Sequence, residues 1–160
     1  MNKLGIHALV WVGGWSQNES RQAIAGAAET GYDLIEVPLL NPRAVDTAAT
    51  ARQLAEFGIA ASASLGLASD TDISSPDRSV AARGEALLDE ALGVCRDIGS
   101  KYLGGVIFSA LRKYDAPPTR AGRDNCIAAL GRLAAKAKAS GITLGLEAVN
   151  RYESNLINTG

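Results

Sequence analysis

A chain of 160 residues is about one ordinary domain, long enough to bury roughly 70% of the surface its unfolded form exposes. With 47% apolar and 21% charged residues it is globular and not disordered, and a net charge of −1 removes the electrostatic footprint of a nucleic-acid binder. No run approaches the roughly 18 apolar residues of a membrane span, so a membrane partner is not expected either.

Met1-Asn2-Lys3 precedes a short apolar stretch without a small-x-small cleavage pattern, which reads as a first strand, β1, over about residues 4–10, and not as a signal peptide. Ser16-Gln17-Asn18-Glu19 is a capping-box pattern that opens helix α1, running to about Thr30. Then follow β2 (33–38), α2 (45–57) and β3 (59–66). Ser75 and Pro76 supply a cap and a first-turn proline for α3, which runs to Ile98. The order finishes with β4 (101–108), α4 from Thr119 to Ser140, and β5 (142–147). Gly31, Gly58, Gly99 and Gly141 each stand between an amphipathic segment and a β-rich run, where a left-handed residue ends a helix.

In α3 the apolar residues Val80, Leu87, Ala91, Cys95 and Ile98 draw one stripe, and in α4 Ile127, Leu130, Leu133 and Ala137 do the same. Arg123, Arg132, Lys136 and Lys138 form the solvated face of α4. Cys95 and Cys126 fall on apolar faces, so two buried free thiols and a cytoplasmic location are expected.

Strict strand–helix alternation calls for an α/β fold with a parallel sheet, either an open doubly wound sheet or part of an eight-unit barrel. The first usually carries a Gly-rich phosphate loop after its first strand. Trp11-Val12-Gly13-Gly14-Trp15 has neither phosphate-binding pattern.

Acids at the carboxyl ends of parallel strands are where such enzymes keep their chemistry. Glu147 closes β5, with Ile142, Leu144 and Leu146 on one face and Thr143, Gly145 and Glu147 on the other. If helices cover the outside, alternation sends His7, Glu36, Ser64 and Glu147 to the inner face. A His and carboxylates drawn from separate strands suit proton transfer or a cation such as Mn²⁺, Mg²⁺ or Co²⁺. Other readings stay open at this point. His7 is equally a hydrogen-bonded pocket residue, Glu36 a supporting group paired with a cation, and Arg151 a counter-charge to Glu153. Trp11 and Trp15 are either core aromatics or, for Trp15, an apolar wall for a sugar.

Gly5-Ile6-His7 with Trp11 and Trp15, Gly31-Tyr32-Asp33-Leu34-Ile35-Glu36, Ser64-Leu65-Gly66-Leu67, Ile73-Ser74-Ser75-Pro76-Asp77 and Leu146-Glu147-Ala148-Val149-Asn150-Arg151-Tyr152-Glu153 together resemble the ketose 3-epimerases. These are the D-tagatose, D-psicose (D-allulose) and L-ribulose 3-epimerases of the xylose-isomerase-like barrel superfamily. The resemblance implies a metal-dependent, homo-oligomeric (βα)₈ enzyme, with Mn²⁺ or Co²⁺ the usual ion, that inverts C3 of an unphosphorylated ketose through an enediolate. Glu147 matches the family's first metal ligand and one of its two acid/base carboxylates. Glu153 matches the acid that contacts the sugar near its carbonyl end, while Trp15, Ser64 and His7 fall at pocket positions. Leu111 and Ser64 stand where some relatives have Trp and Cys.

In that family an Asp, a His and a second Glu on later strands complete the site. Residues 1–160 are therefore expected to be the amino-terminal portion of the barrel domain, about its first four and a half βα units, and inactive alone. The alternatives are a non-catalytic half-barrel that self-associates or binds sugar without turnover, and another enzyme of the superfamily, an isomerase or an endonuclease-IV-like protein. The acidic balance and single His argue against the last.

Overall fold

The computed structural model describes residues 3–160; Met1 and Asn2, part of the segment weighed as a signal peptide, lie outside the described residues. Five strands, β1 (Gly5–His7), β2 (Leu34–Pro38), β3 (Ala60–Ser64), β4 (Tyr102–Gly104) and β5 (Thr143–Leu144), form one sheet in the order β1-β2-β3-β4-β5, every pair parallel. Between them run α1 (Gln17–Thr30), α2 (Thr47–Phe57), α3 (Arg78–Asp97) and α4 (Arg120–Ala139). Strand order that follows chain order without a reversal is the order of a barrel wall, whereas a doubly wound sheet reverses at a switch point. The two architectures left open by the sequence are thereby separated.

The helix ends follow the sequence. Ser16 and Glu19 form the capping box at α1, the Glu19 carboxylate accepting from the Ser16 N–H at 2.9 Å. Gly31, Gly58, Gly99 and Gly141 all have positive φ, between 64° and 90°, and end the four helices. The start of α3 differs, because Asp77 and not Ser75 caps it. The Asp77 carboxylate accepts both the N–H and the hydroxyl of Ser79 at 2.8 Å.

The strands differ at their ends. β1 stops at His7, not near residue 10, because the His7 ring accepts the Leu9 N–H and turns Ala8–Val10 into a 3-10 turn. β5 is regular over two residues only, but its ladder continues: Thr143, Gly145 and Glu147 N–H groups donate in turn to the carbonyls of Lys101, Leu103 and Gly105 at 2.8, 2.9 and 3.1 Å. That every-other-residue pattern keeps Glu147 on the face set by strand alternation.

The core lies between sheet and helices, around Ile24, Ile35, Val37, Leu88, Leu92, Leu103, Ile107 and Phe108. In α3 the buried line passes through Gly84, Leu88, Ala91, Leu92 and Cys95, with Val80 and Leu87 only half-buried. In α4 it passes through Cys126, Ala129, Leu133 and Ala137, and Ile127 is 69% exposed, a correction to the stripe drawn from the sequence. Both stripes are rotated toward small residues because α3 and α4 approach the loops closely. A Cβ on Gly84 would meet the Thr71 carbonyl, and one on Gly122 would lie 2.8 Å from the Ser74 carbonyl. Cys95 and Cys126 are buried and free, and burial pushes both thiols up to about 11.

Exposed ion pairs staple neighbouring helices: Arg21 to Glu56, Arg132 to Glu85 and Lys136 to Asp89 at 2.5–2.7 Å, while Arg43 reaches Glu90 on α3 at 2.6 Å. Hydrogen bonds from those arginines hold Glu56, Glu85 and Glu90 below the usual carboxylate range, as Ser16 does for Glu19 and Ser79 for Asp77. A carboxylate whose folded pKa lies below its unfolded value stabilises the fold above that unfolded value and loses the contribution as pH falls through the folded one. The urea midpoint is therefore expected to stay level from pH 7 to about 5 and to fall once pH drops below the ordinary Glu value of 4.5. A midpoint that holds from pH 5 to 3 contradicts these contacts.

Candidate active site

His7, Glu36 and Ser64 come from the carboxyl ends of β1, β2 and β3, and the β5 ladder brings Glu147 to the same place. Together they line an open cavity of about 310 Å³. Leu9, Leu40 and Leu111, all substantially exposed, give it apolar walls, and Gly66 and Gly105 let the backbone come close. The sheet register sets His7 level with Glu36, and the two side chains are 37% and 39% exposed.

The imidazole of His7 is fully committed. Nδ1 accepts the Leu9 N–H at 3.1 Å, so the proton sits on Nε2, which faces Ser64 Oγ at 3.4 Å and Glu36 Oε1 at 3.6 Å. A neutral imidazole has one nitrogen lone pair, and the Leu9 amide takes it. His7 is therefore a donor toward the cavity and has no lone pair left for a cation. Of the two carboxylates that line the cavity, Glu36 faces the Nε2 proton, and Glu147 stands at the far edge of the sheet with its side chain exposed.

The remaining sequence candidates lie elsewhere. Trp15 donates from Nε1 to the buried Thr50 hydroxyl at 3.1 Å, which ties it to α2 and not to the cavity. Trp11 packs on α1 so closely that a Cβ on Gly26 would lie 2.7 Å from its ring nitrogen. Glu153 is exposed, and its carboxylate accepts from the Asn150 side-chain amide. Arg151 lines a separate cavity beside Tyr114, and among the described residues no ion pair joins it to Glu153.

Leu9 and Leu40 are cavity residues that the sequence pattern did not single out. Both follow the point where regular pairing ends, beyond the reach of a period-two argument. Among the described residues no three His, Cys, Asp or Glu side chains gather as a metal-ligating group. The cavity offers a divalent ion the Glu147 carboxylate, which is one of the several ligands such an ion takes and does not by itself make a site. No helix among the described residues is long and apolar enough to cross a membrane.

Comparison with known proteins agrees with this geometry. A family model described as xylose isomerase-like TIM barrel matches residues 24–160. An L-ribulose 3-epimerase from Methylomonas sp. (strain DH-1) is 49% identical over 156 residues, 98% of this chain and 54% of that protein. A ketose 3-epimerase from Arthrobacter globiformis is 46% identical over 158 residues, 99% of this chain and 55% of that protein. The crystal structure of a D-allulose 3-epimerase from Methylomonas sp. in complex with D-allulose superimposes with a TM-score of 0.95 at 48% identity, covering 99% of this chain and 56% of that one. The chain thus spans about half the length of the curated relatives it matches. Parallel strands in barrel order, an acid at the carboxyl end of the last of them and a family match over most of the sequence lead to one assignment: the chain belongs to the xylose isomerase-like TIM barrel family.

Proposed function

We propose that residues 1–160 are the amino-terminal portion of a xylose isomerase-like barrel domain, and that the whole domain inverts C3 of an unphosphorylated ketose. The observation that carries this reading is the β5 ladder, which delivers Glu147 to the cavity already lined by His7, Glu36 and Ser64. The names of the relatives at 49% and 46% identity support the substrate class.

A hydrogen next to a ketone becomes removable when the negative charge it leaves behind is stabilised. Glu147 is the base and acid on one face of the sugar, and inversion needs a second carboxylate on the other face, supplied by the rest of the barrel. His7 Nε2–H donates to a sugar hydroxyl, Ser64 either donates or accepts, and Glu36 keeps the imidazole turned toward the cavity. Leu9 and Leu40 give the site an apolar wall on one side. Glu153, six positions past Glu147, is assigned by the family resemblance to the carbonyl end of the sugar and Arg151 to a supporting role, both from outside the cavity that His7, Glu36, Ser64 and Glu147 line. Trp15, whose indole is bonded to Thr50 of α2, would serve as an apolar wall for the sugar once the rest of the barrel closes the site. A divalent cation, Mn²⁺ or Co²⁺ with Mg²⁺ as the alternative, would supply positive charge against the charge that develops beside the carbonyl, and Glu147 is the residue of this chain that would help to hold it. Homo-oligomeric assembly and a cytoplasmic location belong to the same reading, the latter supported by two buried, unpaired thiols.

Incubating the purified whole protein and Mn²⁺ with L-ribulose, D-allulose or D-tagatose is expected to give the C3 epimer of at least one of them, resolved by ligand-exchange chromatography. No epimer from any of the three rejects the reading.

A further inference from the structure

The segment that carries Leu111 into the cavity is held from behind by a tyrosine that does not line it. Past the end of β4, three backbone amides fix the course of the chain. Leu111 N–H donates to the Leu67 carbonyl at 2.8 Å and Arg112 N–H to the Glu153 carbonyl at 2.7 Å. Ala110 N–H, one residue before Leu111, donates to the phenolic oxygen of Tyr114 at 3.0 Å. Tyr114 in turn donates its proton to Asp72 Oδ2 at 2.5 Å. Asp72 is 6% exposed, and its other oxygen accepts the Ser74 N–H at 2.8 Å and the Ser74 hydroxyl at 2.7 Å.

Every polar atom in this relay is matched: a buried carboxylate anchored on the β3–α3 loop, a phenol that donates once and accepts once, and the amide of the residue preceding Leu111. Burial first, then the Asp72 hydrogen bond, pushes the phenol up to about 12, so it keeps its proton throughout the range in which proteins stay folded. Tyr114 borders an open cavity of about 360 Å³ on its other side, and the Arg112 guanidinium lies over its ring, 5.0 Å from the centroid. Leu111 packs over Gly66, its Cδ2 atom 3.4 Å from where a Cβ would stand, and lines the cavity together with Glu147 and His7.

We propose that Tyr114, anchored on Asp72, is a positioning residue for Leu111: it fixes the Ala110 amide and so sets the apolar wall that Leu111 presents to the ketose. This rests on the ketose-binding reading above. The hydroxyl touches no substrate, so its loss weakens binding and leaves the proton-transfer step intact.

The test uses Tyr114→Phe, Leu111→Ala and the double variant in the whole protein. Tyr114→Phe removes both bonds of the hydroxyl, and loss of the one to the Ala110 amide is expected to raise KM about three- to tenfold, with kcat within about twofold of the parent. The double variant is expected to match Leu111→Ala alone, because the tyrosine acts through that side chain. Amide hydrogen exchange at Ala110 and Leu111 is expected to quicken in Tyr114→Phe. Unchanged exchange at these two amides, effects of the single variants that multiply, or a lower kcat at constant KM each overturns the proposal. A parent that epimerises no ketose overturns the functional reading and the substrate part of this one, while the exchange measurement still decides whether Tyr114 positions Leu111.

Discussion

Glu147→Gln is expected to slow C3 epimerisation by about 10²–10⁴-fold in kcat, the range in which a positioned acid or base contributes to proton transfer. Gln has the same length and leaves the backbone bond from residue 147 to the Gly105 carbonyl in place, so the strand extension survives. The side chain is exposed and carries no core packing, so the unfolding midpoint is expected to stay put. Steady-state kinetics with L-ribulose beside a urea titration separates the two effects. A variant that keeps more than a tenth of the parent kcat removes Glu147 from the chemistry.

Gly105→Ala is expected to cost about 3 kcal/mol or more, combining left-handed backbone strain with overpacking. Gly105 has φ of 107°, and a Cβ there would run into the Leu65 carbonyl and lie 3.1 Å from the Leu65 nitrogen. Those atoms belong to the backbone just past β3, which cannot rotate aside as a flexible side chain would. Because the Gly105 carbonyl accepts the Glu147 N–H, the substitution also displaces the candidate base, and activity falls with stability. Gly131→Ala is the control: it lies within α4 with nothing within 4 Å of the added methyl, and gains about 0.5–1 kcal/mol from helix propensity. Urea unfolding of the two variants is expected to move the midpoint in opposite directions.

Helix ends were legible in the sequence because their chemistry is local. A Ser with Glu three residues on, or a Gly after an amphipathic run, states its role within one turn of helix. Alternation likewise brought His7, Glu36, Ser64 and Glu147 to one face, since a parallel ladder conserves the parity of its strands. What the sequence hid depends on contacts distant along the chain or on side chains that capture the backbone. His7 ends its own strand by accepting the Leu9 amide, which no period-two pattern foretells. Trp15 is claimed by Thr50, 35 positions away, and the buried faces of α3 and α4 turn toward small residues that meet the Thr71 and Ser74 carbonyls. The motif around Glu147 carried the family resemblance; the comparisons place the family, and the ladder from Lys101 to Gly105 shows how that motif reaches the cavity.

If Glu147 exchanges a proton at the carbon beside a ketone, the solvent must leave its isotope there. Running the reaction of the whole protein with Mn²⁺ in D₂O and reading the product by ¹H NMR tests this most directly. The expected product is a C3 epimer that carries deuterium at C3, with exchange lost in Glu147→Gln. An epimer that keeps its original C3 hydrogen, or a ketose returned unchanged and unlabelled, contradicts it.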